Sequence, residues 1–198
     1  RSSDLTFVAG VWTASGALAD VNTLLAALTF TPTLDFNGNF NITTSVDDGT
    51  APAITGSKAM TGTPVNDAPT ATNLNAAETY TEDTALNLTD IVVSDVDSPN
   101  VTATLTLSNL AAGSLNTGTS GAVTSTFAAG VWTASGALAD VNTLLAALTF
   151  TPTLDFNGNF SIATSVSDGV AAAITGSKAM TGTPVNDAPT ATNLNAAE

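Results

Sequence analysis

The sequence contains no cysteine and no histidine. These absences exclude disulfides, zinc sites built on thiolate or imidazole, thiol nucleophiles and acid–base catalysis by histidine. Basic residues are also scarce: Arg1, Lys58 and Lys178 are outnumbered by 17 acidic residues, for a net charge of −14. Nucleic acid and anionic membranes are therefore not expected as partners, because binding them requires clustered Lys and Arg.

Long apolar runs are missing as well. No segment approaches the roughly 18 apolar residues of a membrane-spanning helix, so membrane insertion is not expected. No signal peptide is visible, and the chain starts at Arg1 rather than methionine, so we expect it to be part of a longer protein. With 43% hydrophobic and 10% charged residues, the chain can bury a core and is not a disordered acidic tail.

The sequence repeats itself with an offset of 120 residues. Phe7–Glu78 recurs as Phe127–Glu198 with six differences. A period of this length suits domains strung one after another rather than the coils of a solenoid.

A short motif suggests the phase of the repeat. The segment "VNDAPT", rich in turn formers, occurs at 65–70 and 185–190 and is interpreted as a linker. This phase predicts a complete repeat over 66–186, the C-terminal part of a preceding repeat over 1–65, and the start of the next over 187–198.

Short alternating segments of the complete repeat predict β-strands. Phe160, Ile162 and Val166 share one face of such a segment, and small polar residues alternate with them. The predicted strands lie at 85–93, 101–110, 127–136, 148–154, 160–167 and 171–185.

One segment follows a different period. Apolar residues of 139–148 recur at i, i+3, i+4 and i+7, which predicts a short helix with Asp140 as its N-cap, as Asp20 is in the other copy. Together the pattern predicts an all-β fold, an antiparallel β-sandwich of about seven strands with one crossover helix per repeat. Lys58 and Lys178 are expected to protect an exposed edge on the last strand.

Strand geometry separates the acids of the complete repeat into two poles. The strand 159–167 spans about 30 Å, so Asp155 and Asp168 must lie at opposite ends of the domain. Counting through antiparallel strands places Glu82 and Asp187 with Asp155. The same count places the turn "SDVDSPN" at 94–100 and the incoming linker at 66–67 with Asp168.

Facing acidic poles of consecutive repeats would repel each other. Two carboxylates 4 Å apart cost about 1 to 4 kcal/mol. Calcium, which takes about 6 to 8 oxygen ligands, would convert this repulsion into a clamp. We therefore predict Ca²⁺ as the cofactor.

Several segments, in this order, resemble the bacterial cadherin-like tandem repeats of large extracellular (RTX-type) adhesins: "VNDAP", "TEDTALN", "SDVDSPN" and "LDFNGNFSIATSVSDG". The resemblance covers the whole complete repeat. It implies a Greek-key sandwich of the cadherin/Ig-like type with calcium bound between consecutive domains. It also implies an extracellular location, secreted or attached to a cell surface.

The resemblance assigns ligands by motif. The Asp-x-Asp turn matches Asp95 and Asp97, and the early glutamate matches Glu82. Asn157 stands where the family has glutamate, which implies fewer or weaker ions at each junction. The complete set of predicted metal ligands is Asp35, Asn37, Asn66, Asp67, Glu82, Asp95, Asp97, Asn100, Asp155, Asn157, Asp168 and Asp187.

Simpler interpretations remain for these residues. Aspartates often initiate turns, which alone explains the pair Asp95 and Asp97, and an ordinary Asn-Gly turn explains Asn157. Glu78 and Asp83 are expected to be solvated.

The leading hypothesis is a non-catalytic extender module of an adhesin, whose partners are neighbouring repeats of the same protein. The alternative is a ligand-binding module for a surface glycan or an identical chain, in which tandem copies raise avidity. The acids map to the poles with no sign of a cleft, so no enzymatic activity is predicted. Residues 1–65 lack the early strands of their repeat; either they pair with another chain or the repeat is phased differently.

Overall fold

The computed structural model describes residues 4–191, and these fall into two compact units divided between Val65 and Asn66. The regular elements of these residues are mostly short β-strands, with two helices, which confirms the all-β prediction. Within the described range, no helix is long and apolar enough to cross a membrane. The assignment of the units to cadherin-like repeats stays a prediction, and 192–198 of the expected next repeat lie outside the described residues.

The first unit contains two hairpins and one helix. Its elements are β1 (Asp4–Val8), β2 (Val11–Ser15), α1 (Leu18–Ala26), β3 (Phe40–Val46) and β4 (Ile54–Met60). β1 pairs with β2 and β3 with β4, each as a separate antiparallel two-stranded sheet. No residue from 4 to 65 is buried.

The second unit contains thirteen strands and one helix. They are β5 (Thr70–Ala71), β6 (Glu78–Thr81), β7 (Leu86–Asn87), β8 (Val93–Ser94), β9 (Asn100–Leu107), β10 (Gly113–Leu115), β11 (Thr119–Ser120), β12 (Val123–Thr124), β13 (Thr126–Ala128), β14 (Val131–Ala137), α2 (Leu138–Ala146), β15 (Thr149–Pro152), β16 (Phe160–Ser167) and β17 (Ile174–Thr183).

Two sheets of the second unit contribute to one core. The larger sheet has the order β13-β14-β9-β16-β17-β6, and only the β17–β6 pairing is parallel. The smaller has the order β10-β15-β7, and two further strand pairs, β5-β8 and β11-β12, lie outside both. The buried cluster combines Trp132 and Ile162 from the larger sheet, Phe150 from the smaller sheet, and Val141 and Leu145 from α2.

Two strand predictions need correction. The predicted strand 85–93 is split into β7 and β8, because β7 pairs with β15 and β8 with β5. The predicted strand 127–136 is the hairpin β13–β14. Its two turn residues, Ala129 and Gly130, have φ of 50° and 78°, the left-handed conformation that a tight two-residue hairpin turn requires.

The predicted helix is confirmed, but its predicted cap is wrong. α2 starts after Ala137, which is the N-cap, and Asp140 lies in the first turn. The Asp140 carboxylate instead accepts a hydrogen bond of 2.9 Å from the Ser120 hydroxyl. α1 likewise has Ala17 as its N-cap, without a side-chain cap from Asp20.

The expectations for Lys178 and Glu78 are also wrong. β17 is not an edge strand, because β6 pairs with it on its outer side. Lys178 is fully buried, and its Nζ lies 2.9 Å from Glu78 Oε1 and donates to the Thr89 carbonyl at 3.1 Å. The Thr89 backbone N–H and hydroxyl donate in turn to the Glu78 carboxylate. A charged pair can be buried only when its polar atoms have hydrogen-bond partners. Lys178 and Glu78 have such partners in each other and in Thr89.

Candidate metal centres

Strand directions bring acidic segments to the two ends of the larger sheet. β16 and β17 are antiparallel, so the segment before β16 lies at the same end as the segment after β17. β17 and β6 are parallel, so the segment after β6 lies there too. β9 is antiparallel to β16, so the segment before β9 lies at the other end, together with the residues that follow β16.

The first group, which we term the Asp95 cluster, consists of Asn66, Asp67, Asp95, Asp97 and Asp168. Asn66 Nδ2 donates to Asp168 Oδ2 at 2.6 Å, and the Asp67 backbone N–H donates to Asp97 Oδ2 at 2.9 Å. These contacts join the chain entering the unit to the turn before β9 and to the end of β16.

Asp95 holds the turn of this cluster together. Its Oδ1 accepts the backbone N–H groups of Asp97 and Ser98 at 3.1 and 2.8 Å. Its Oδ2 is shielded from solvent and has no hydrogen-bond partner within the described part of the chain. A buried acceptor left unpaired costs about 1 to 3 kcal/mol, and a cation is the partner that a carboxylate oxygen in an acidic turn would accept.

Asp168 is held in its ionised form. The hydrogen bond from Asn66, followed by the backbone N–H groups of Val170 and Ala171, lowers the pKa of the Asp168 carboxyl below its ordinary value. Asn66 is itself oriented, since its Oδ1 accepts a hydrogen bond from the Ser98 hydroxyl at 3.3 Å. Asp168 therefore presents a charged carboxylate at neutral pH.

The second group, the Asp155 cluster, consists of Glu82, Asp83, Asp155, Asn157 and Asp187. One carboxylate oxygen each from Asp83, Asp155 and Asp187 lies within 4.8 Å of the others. The Asp155 backbone N–H donates to Asp83 Oδ1 at 2.9 Å. Asp83 and Asp155 have φ of 63° and 59°, a left-handed conformation that aspartate tolerates better than most residues.

The carboxylates of the Asp155 cluster repel one another. Loss of solvent raises the pKa of the Asp155 carboxyl above its ordinary value, and the charges of Asp187 and Asp83 raise it further. Glu82 adds a smaller effect in the same direction. Three exposed carboxylates at this spacing can bind a divalent cation, which would remove the repulsion.

Glu82 anchors the chain that leaves the unit. It is buried, with 2% of its surface exposed, and accepts a hydrogen bond of 2.7 Å from Asn157 Nδ2. It also accepts the backbone N–H of Val185, two residues before Asp187. Asn157 thus pairs with Glu82 and adds no charge of its own.

Sequence reasoning missed Asp83, which was expected to be only solvated. It is exposed, but it belongs to the Asp155 cluster. Its position depends on the parallel pairing of β6 with β17, which the sequence did not indicate.

Three predicted ligands are not brought into either group. Asn100 begins β9 opposite Ala137 and makes no hydrogen bond to the Asp95 cluster within the described residues. Asp35 and Asn37 are exposed in the first unit, where residues 4–65 contain no counterparts of Glu82 and Asp83.

No protein-family model, curated protein or solved structure matches the chain.

Proposed function

We propose that the second unit is a calcium-binding extender module of a secreted or cell-surface adhesin, with a cadherin-like Greek-key sandwich as its fold. Calcium binds at the Asp95 cluster and at the Asp155 cluster. The neighbouring repeats of the same protein are its partners, and no catalysis is involved.

The observation that carries the proposal is the shielded, unpartnered Oδ2 of Asp95. It lies in a cluster in which the carboxylates of Asp97 and Asp168 are already oriented by hydrogen bonds from Asp67 and Asn66. The described residues leave this oxygen without a donor, so a cation can bind beside it, whereas the nearby acids repel anions. The residues present therefore fit a hard, oxygen-preferring cation such as Ca²⁺.

The position of the two clusters supports a mechanical role. Asn66 and Asp67 precede the first strand of the unit, and Asp187 follows its last strand. Cations at both clusters would fix the chain where it enters and where it leaves the sandwich. An array of such modules would then be stiffer in calcium than without it.

Isothermal titration of Ca²⁺ into the whole chain tests the proposal. We expect binding heat in the wild type, loss of one class of sites in Asp95→Asn, and loss of another in Asp83→Asn. Asp48→Asn is the matched control, because Asp48 occupies the position of Asp168 in the first unit and forms a similar local loop. The absence of heat at millimolar Ca²⁺, or identical titrations for all four proteins, would overturn the proposal.

A further inference from the structure

The first unit exposes the residues that the second unit buries. Phe30 is 48% exposed, whereas its counterpart Phe150 is 0% exposed. Val46 is 62% exposed, whereas Val166 is 1% exposed. Because the two stretches are nearly identical in sequence, the difference comes from what covers them.

In the second unit the covering segment is 66–126. It supplies β9, which inserts between β14 and β16 and pairs with both. It also supplies β6 beside β17, and β7 and β10 on either side of β15. In the first unit the counterparts of β14 and β16 are β2 and β3, which belong to separate two-stranded sheets.

In the second unit an ion pair accompanies the apolar contacts between the covering segment and the residues that it covers. Lys178 is fully buried against Glu78, which lies on the covering strand β6. Its counterpart Lys58 is exposed on β4. A strand that carries glutamate in the position of Glu78 would pair with Lys58 as β6 pairs with β17.

We propose that β1–β4 and α1 form a docking surface for a polypeptide segment of the chemistry of 66–126. The occupant adds one strand of alternating apolar residues, equivalent to β9, between β2 and β3. It adds a second strand, parallel to β4, whose glutamate forms an ion pair with Lys58. This interaction requires no calcium and is independent of the metal proposal.

Hydrogen exchange measured by mass spectrometry on the whole chain tests this proposal. The polypeptide 66–126 is added in calcium-free buffer, and exchange is followed separately in peptides from 40–60 and from 160–180, whose masses differ. We expect slower exchange in 40–60 only, because 160–180 already has its covering segment. A polypeptide of the same composition in scrambled order is the control and should give no protection.

The ion pair gives a second readout. Added polypeptide with Glu78→Gln, or a chain with Lys58→Met, should need about tenfold more polypeptide for the same protection, since each leaves one charge without its partner. Unchanged exchange in 40–60 at saturating polypeptide would overturn the proposal. It would also be overturned if the chain alone were a dimer in which both 40–60 and 160–180 are already protected, because a second copy would then cover this surface with something other than its own 66–126.

Discussion

Residues 7–65 and 127–185 have nearly the same sequence but different environments. Both copies form the same hairpin: Phe40 pairs with Met60 in β3–β4 as Phe160 pairs with Met180 in β16–β17. Both form the same nine-residue helix. Only the second copy has a core. The comparison separates what the local sequence specifies from what distant residues must add.

The exposed copy, residues 7–65, forms the same local hydrogen bonds at Asp48 as the covered copy forms at Asp168. The Asp48 carboxylate accepts the backbone N–H groups of Thr50 and Ala51 at 2.9 Å, as Asp168 accepts those of Val170 and Ala171. These bonds lower the pKa of the Asp48 carboxyl below its ordinary value, as the corresponding bonds do for Asp168. They span two or three residues and need no partner from elsewhere.

The exposed copy lacks the strand pairings that residues 66–126 supply in the second unit. β15 has no counterpart at 29–32, where the first unit contains no strand. In the second unit β15 pairs with β10 and β7, both supplied by 66–126. A strand without neighbours loses its backbone hydrogen bonds, so this segment forms a strand only when covered.

The largest predicted loss of stability follows from substitution of the core phenylalanine, Phe150. Phe150→Ala should reduce the free energy of unfolding by about 3 to 5 kcal/mol, because it removes a fully buried ring and leaves a cavity. Phe30→Ala makes the same chemical change at a half-exposed site and should cost far less. Denaturant unfolding measures both, and equal losses would contradict the difference in burial.

The next largest loss of stability is expected when the buried ion pair of Lys178 and Glu78 is broken. Lys178→Met should destabilise the second unit by about 3 kcal/mol, because it leaves the Glu78 charge buried without a partner. The matched change Lys58→Met is at an exposed residue and should alter stability by less than about 0.5 kcal/mol. Chemical denaturation of the two variants measures both changes in stability. An equally small loss in both would show that the ion pair is dispensable.

A smaller effect is expected at the helix. Asn142 exchanges two hydrogen bonds of 2.9 Å with the backbone of Val93, directly before the turn that carries Asp95. Asn142→Ala should cost about 1 to 3 kcal/mol by leaving those backbone groups unpaired. Asn22→Ala, its exposed counterpart in α1, should be neutral. Thermal melts of both variants make the comparison.

The smallest effect concerns pH at the Asp155 cluster. The raised pKa of Asp155 means that the folded chain binds more protons than the unfolded chain just above the ordinary aspartate pKa. Stability therefore falls as pH rises through that window. In calcium-free buffer, Asp155→Asn should slightly raise the melting temperature above this window and flatten its pH dependence. A lower melting temperature at neutral pH would contradict the assigned repulsion.

Much of this organisation could be predicted from periodicity. The strand faces of β9 and β16 and the helix α2 follow from alternation and from the i, i+3, i+4 pattern, which depend only on local geometry. The burial of Lys178 could not be predicted, because it depends on the parallel pairing of β6 with β17 and on an ion pair between residues 100 positions apart. Asp83 was missed for the same reason, since its partners Asp155 and Asp187 come from distant segments.

We propose that calcium stabilises the second unit through its two acidic clusters. Differential scanning calorimetry of the whole chain, with excess Ca²⁺ and then with a chelator, tests it most directly. At a free calcium concentration one hundred times Kd, one site adds about 2.7 kcal/mol, which predicts a rise in the main Tm of roughly 10 °C. The same Tm in calcium and in chelator would contradict the account.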